Sequence, residues 1–129
     1  MSLRSPLSRV LGMGSAKDGT AHWWAQRVTA IALVPLTLWL GFSLLALPDL
    51  YFETVRTWLS VPISGFLAVL LVAVLSYHSY LGTQVIVEDY VAAAGPKVLT
   101  LLLLKFLYVL CAGIGIFAIL RVAFGYSPL

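Results

Sequence analysis

Three long stretches of the chain are apolar and almost free of charge. Val28 to Pro48 carries no Asp, Glu, Lys or Arg, Thr57 to Val87 carries none, and Val98 to Leu120 carries only Lys105. About 20 apolar residues suffice for a helix to cross roughly 30 Å of hydrocarbon. Each stretch is long enough, and the second has an excess that tilt or an interfacial lead-in absorbs. The pattern predicts an all-α integral membrane protein with three transmembrane helices, at about 24–47, 62–87 and 98–124. Residues 1–23 then form a polar N-terminal arm, and 24–129 the three-helix membrane domain. Pro35 falls inside the first span and predicts a kink there. Leu47 to Pro62 reads as a first loop whose Tyr51, Phe52 and Trp58 lie along the outer interface. Ala92 to Pro96 (AAAGP) reads as a short second loop that makes helices two and three antiparallel neighbours.

Composition agrees with the pattern. Of 129 residues, 61% are hydrophobic and 10% charged, and the mean hydropathy is +1.01. A soluble domain of this size has too much surface for its volume to hide so much apolar area. The formal net charge of +3 does not point to nucleic acid, because the basic residues sit at the membrane flanks. Arg4, Arg9, Lys17 and Arg27 precede or open the first span; Lys97 lies in the second loop, and Lys105 is close enough to snorkel to the same side. Arg56 and Arg121 stand alone on the other side. The positive-inside rule then puts the N-terminus and second loop in the cytoplasm, and the first loop and C-terminus in the periplasm. No cleavable signal peptide is expected, since the first apolar run is already of membrane length. Trp23 and Trp24 are expected as interfacial anchors. The single cysteine, Cys111, is expected to pack among apolar neighbours. Gly113 and Gly115 suit close helix approach.

Chemistry concentrates in the second span. His78 lies about ten residues from its cytoplasmic end, and an ionisable group at that depth is a functional candidate by default. A neutral imidazole ligates haem iron well, but it also makes ordinary helix–helix hydrogen bonds, and the residues alone leave both readings open. The eleven positions from His78 to Asp89 make three turns plus about 20°, which puts both on one helix face roughly 16 Å apart along the axis. Gly82 and Val85 share that face. Gly82 suits either a flat macrocycle or close helix packing. Tyr90 can donate a hydrogen bond to a quinone carbonyl and Asp89 can relay protons; the alternative is an aromatic-belt phenol beside a solvated acid. Carboxylates at a helix C-terminus oppose the macrodipole, which favours a function for Asp89, while Glu88 reads as solvated. Arg27 can pair with a haem propionate or a partner's anionic face, or serve topology alone. Tyr77 and Tyr80 are expected to pack against neighbours, and Gln84 to hydrogen-bond between helices. His22 is the only other histidine and sits at the surface end of helix one. A bis-histidine haem would therefore need a histidine from another chain.

The string HSYLGTQVIVEDYV, His78 to Val91, resembles the second-helix motif of the small hydrophobic anchor subunit of succinate dehydrogenase (respiratory complex II). There a haem-ligand histidine is followed, at this spacing, by Asp-Tyr-Val. GSAKDGTAHWWAQRVTAIALVPLTLW, from Gly14 to Trp39, also looks like the bacterial form. The resemblance covers residues 10 to about 95, and the third helix matches in character only. It implies a subunit that pairs with a three-helix cytochrome b membrane subunit and docks the iron–sulfur and flavoprotein subunits at a bacterial inner membrane. By the same resemblance His78 is an axial ligand of haem b, Tyr90 a donor to ubiquinone, Asp89 its neighbour in proton supply, and Arg27 a residue near the propionates. His22 is offset by one residue from a family histidine and receives no role. Such a chain catalyses nothing alone; it supplies positioning and ligation for electron transfer from succinate to quinone. A quinol:fumarate reductase anchor is the first alternative. A small transporter or a haem-free assembly protein, each embedded in lipid, is the second.

Overall fold

The computed structural model describes residues 14–125, with side chains from Thr20 onward. It is all-helical: α1 (Gly14–Ala46), α2 (Phe52–Ser60), α3 (Pro62–Tyr90) and α4 (Ala94–Ala123). Three of these are long and apolar enough to cross a membrane: Thr20–Ala46, Pro62–Tyr90 and Ala94–Ala123. Arg4, Arg9 and the first half of the expected arm lie outside the described residues.

The spans stand where charge avoidance puts them, but their ends differ. α1 begins at Gly14 rather than at residue 24, because Ala16, Lys17 and Ala21 favour helix on either side of Gly19. It runs through Pro35 as one helix. α3 extends to Tyr90, so Glu88, Asp89 and Tyr90 are helical. The expected second loop is mostly helix: α4 starts at Ala94 and takes Gly95 and Pro96 into its first turn. Proline fits there because first-turn N–H groups have no intrahelical partner. The turn between α3 and α4 is thus only Val91–Ala93. Lys97 Nζ donates to the Glu88 carbonyl at 2.9 Å, a cation on the negative end of α3.

The first loop also folds. Asp49 Oδ1 accepts the Tyr51 N–H at 3.1 Å, an Asx turn that leads into α2. Pro62 then opens α3 at its first position. Trp58 of α2 stacks on Trp39 of α1, with ring centroids 5.6 Å apart and planes at 22°. The Ser60 hydroxyl lies 2.8 Å from the Arg56 carbonyl and 2.9 Å from that of Ala123, tying α2 to the end of α4. Gly125 caps α4 with φ 72°, the left-handed residue that commonly follows a helix.

α3 is the middle of the molecule. It packs against α1 on one side and α4 on the other, and among the described residues the α1 and α4 backbones do not approach each other closely. The buried residues follow suit: among the described residues Ser64, Ala68, Leu71, Leu81 and Val87 are on α3, and only Leu36 is elsewhere. The chain is therefore a layer of three helices whose outer faces are apolar and exposed. Cys111, expected to pack, is exposed on α4. The close approaches are local. A Cβ on Gly115 would lie 3.0 Å from Val72 Cγ1, and one on Gly65 would lie 2.9 Å from the Leu59 carbonyl oxygen, whereas one on Gly113 would meet nothing. Of the two glycines expected at a helix contact, only Gly115 serves it. Gly65→Ala should cost about 1–3 kcal/mol, because backbone must move to admit the methyl, while Gly113→Ala should be near neutral. Unfolding in mixed detergent–SDS micelles reads both; equal midpoints for the two variants would contradict the packing.

Candidate functional site at the α1–α3 interface

The described chain has one deep imidazole, and α1 holds it. His78 Nδ1 is 2.8 Å from Thr29 Oγ1. The same hydroxyl is 2.7 Å from the Ala25 carbonyl and 3.1 Å from that of Gln26. On the other edge of the ring, Gln26 Nε2 is 3.5 Å from His78 Nε2. A helical Thr commonly returns its proton to the carbonyl four residues back. When that proton is committed to the helix, Oγ1 faces Nδ1 as an acceptor, and the matching tautomer carries its proton on Nδ1. Nε2 then carries the lone pair, and the Gln26 amide N–H points at it from the limit of hydrogen-bond range. The ring is thus firmly held on one side and loosely engaged on the other.

The α1 side of the site is a polar stripe. His22, Gln26 and Thr29 fall within about 60° of one another at 100° per residue. His22 Nε2 and Gln26 Oε1 are buried and have no hydrogen-bond partner. Unsatisfied buried polar atoms are rare and call for a specific account. Gly82 contributes space: a Cβ there would meet Gln26 Nε2 at 3.6 Å, so the glycine lies under the amide that faces His78. No group of three or more His, Cys, Asp or Glu is gathered among the described residues. A bare ion would find no cage of such ligands there, whereas a metal in its own macrocycle asks the protein for only one or two ligands.

The other expected site residues stand apart from this imidazole. Asp89 and Tyr90 are exposed at the end of α3, Tyr90 at 85%. Arg27 is exposed, with its guanidinium 5.4 Å from the Trp23 ring centroid. It lies about 160° around α1 from Thr29, away from the His78 contact. Val85 is exposed. Gln84, expected to bridge helices, instead donates to Glu88 Oε1 within α3 at 2.8 Å, since four residues is one turn and places the two side by side. Tyr80 does pack, edge-on to Tyr108 at 6.1 Å, and Tyr108 Oη meets Thr83 Oγ1 at 2.8 Å. Tyr77 is half-exposed. Thr29 and Gln26 were not singled out by sequence, although a polar pair three residues apart at the mouth of an apolar span is a usable signal.

Residues 1–119 match the family model described as succinate dehydrogenase/fumarate reductase transmembrane subunit. The chain belongs to this family. It is 41% identical over 91 residues to the succinate dehydrogenase hydrophobic membrane anchor subunit of Rickettsia bellii, covering 69% of this chain and 71% of the relative. The subunit of the same name from Paracoccus denitrificans is 27% identical over 121 residues, 94% of this chain and 93% of that one. A succinate dehydrogenase membrane anchor subunit of Reclinomonas americana is 29% identical over 92 residues, 69% and 77% of the two chains. With three apolar helices, the family member is a multi-pass protein of the bacterial inner membrane, and its relatives are named as subunits of succinate dehydrogenase.

Proposed function

We propose that this chain is the membrane anchor through which a succinate dehydrogenase passes electrons to ubiquinone, and that it holds haem b jointly with a cytochrome b membrane subunit. The observation that carries the reading is the state of His78: one ring nitrogen is held by Thr29, and the other is free but for a long amide contact. The residues fit the group. His78 would hold the group from this chain, Gly82 would leave room beside it, and the unpartnered Gln26 Oε1 and His22 Nε2 would line a polar edge. When bound, haem b would supply a one-electron store.

The chain's own residues do the rest. Tyr90, exposed at the cytoplasmic end of α3, donates its phenolic hydrogen bond to the quinone carbonyl. Asp89 beside it feeds protons to the reduced oxygens. Arg27 reaches a propionate or the partner subunit by leaving the Trp23 face. The arginine and lysine distribution favours a cytoplasmic N-terminus and a periplasmic C-terminus, so the start of α1 and the α3–α4 turn face the docked iron–sulfur and flavoprotein subunits. The partner's three helices pack on the outer faces of the α1–α3–α4 layer. The names of the relatives favour succinate oxidation over fumarate reduction.

Purification of the tagged chain in mild detergent tests this. A dithionite-reduced minus oxidised spectrum of b type, with three further subunits on the gel, is the expected result. A colourless, stable, solitary chain would sink the proposal in favour of a haem-free membrane protein.

A further inference from the structure

We infer that Thr29 is the positioning residue of the haem-ligand histidine: its hydroxyl selects the His78 tautomer that leaves Nε2 free, and raises the donor strength of that nitrogen. The inference rests on the reading of His78 as a haem ligand, but its geometry is independent of haem. Thr29 Oγ1 has a single proton. Two backbone carbonyls of its own helix, at 2.7 and 3.1 Å, are there to take it. What remains toward His78 Nδ1, at 2.8 Å, is oxygen lone pair. A hydroxyl that is donating is also a better acceptor, because the two bonds polarise each other. The Nδ1–H proton is therefore drawn toward Thr29, and electron density is left on Nε2. Outer hydrogen bonds of this kind fix tautomer, ring orientation and basicity of metal-bound histidines.

Gln26 completes the arrangement. Its amide nitrogen has only hydrogens to offer, so its approach to Nε2 at 3.5 Å agrees with a lone pair there and not with a second N–H. The contact is long, and the carbonyl end of the same amide is buried without a partner. Gln26 is thus a weak occupant of the position facing Nε2 and gives way to a stronger one. Thr29 does not give way, since its bond is on the far side of the ring.

Two measurements test this in wild type, Thr29→Val and Thr29→Ser. The first is the ring-nitrogen spectrum of the histidine-labelled full chain in lipid bilayers. Only two histidines are present, and His78→Ala assigns them. Wild type and Thr29→Ser are expected to show Nδ1–H at His78, and Thr29→Val to lose that preference. The second is the haem midpoint potential in the purified complex. Loss of the acceptor weakens Nε2 as a donor to ferric iron, so Thr29→Val should raise the potential; a tenfold change in the ferric-to-ferrous preference is 59 mV for one electron. Haem affinity should fall about 10- to 100-fold, and Thr29→Ser should restore both. An Nε2–H tautomer in wild type, or equal shifts in the valine and serine variants, would overturn the role of Thr29. An unchanged low-spin haem in His78→Ala would instead remove the ligand reading, while the ring-nitrogen spectrum would still decide Thr29.

Discussion

Replacement of His78 by alanine is expected to abolish the low-spin b-type signal of the purified complex, leaving it either high-spin or colourless. The chain offers no substitute. His22, the only other histidine, lies one to two turns toward the start of α1 from the Gln26 and Thr29 that meet His78, on α1 rather than α3. Loss of the ring removes a contact to Thr29 at 2.8 Å and a long one to Gln26. Thr29 keeps its bond to the Ala25 carbonyl, so no new buried donor is orphaned, and the stability cost is of the order of one net hydrogen bond plus the space vacated, about 1–3 kcal/mol. Insertion and assembly should survive that. Haem affinity should drop at least as far as the 10- to 100-fold typical when a mere supporting group is lost. Haem content per complex, together with the low-spin electron paramagnetic resonance signal, measures the outcome. Retained haem in a high-spin state would agree with ligation by His78, because the partner's ligand then holds it alone. A low-spin signal unchanged in shape and amount would refute it.

The spans were legible because charge is too costly in hydrocarbon to be scattered at random, and that cost is written directly into the sequence. Their ends were not. The polar 1–23 stretch read as an arm apart from the first span, yet α1 is helical from Gly14; a single glycine such as Gly19 costs a helix only about 1 kcal/mol. The AAAGP string suggested a loop, but proline in a first turn offends nothing. α2 was hidden because an aromatic-rich, weakly apolar stretch is equally compatible with an interfacial coil, and its helix is held by Trp39–Trp58 stacking and by the Ser60 link to α4, which are tertiary facts. His78 stood out because an imidazole is rare at its depth. Thr29 did not, because a threonine in a membrane helix satisfies itself on its own backbone and leaves no trace of a cross-helix role. Which α1 residue meets His78 depends on the register of two helices joined through α2, and no local pattern encodes it. Asp89 and Tyr90 were legible only as part of the spacing from His78, since each alone is an ordinary interfacial residue.

Tyr90→Phe should lower succinate:ubiquinone reductase activity roughly 10- to 150-fold, while succinate oxidation by an artificial dye stays near wild type. The figure follows from one hydrogen bond to an oxygen that gains charge as the quinone is reduced, worth about 1.5–3 kcal/mol in the transition state. The phenol is a clean target. It ends α3 and is 85% exposed, so its oxygen supports nothing in the fold, and phenylalanine keeps the ring and the helix. The separation of the two activities carries the argument. On the proposed function, flavin, clusters and succinate site would belong to the soluble subunits, so electrons drawn off by a dye would never reach α3, whereas electrons bound for quinone would. Equal loss of both activities would mean that the exposed ring serves docking of those subunits. Equal retention would mean that quinone is bound without Tyr90, and the quinone site would then have to be sought on the partner's helices.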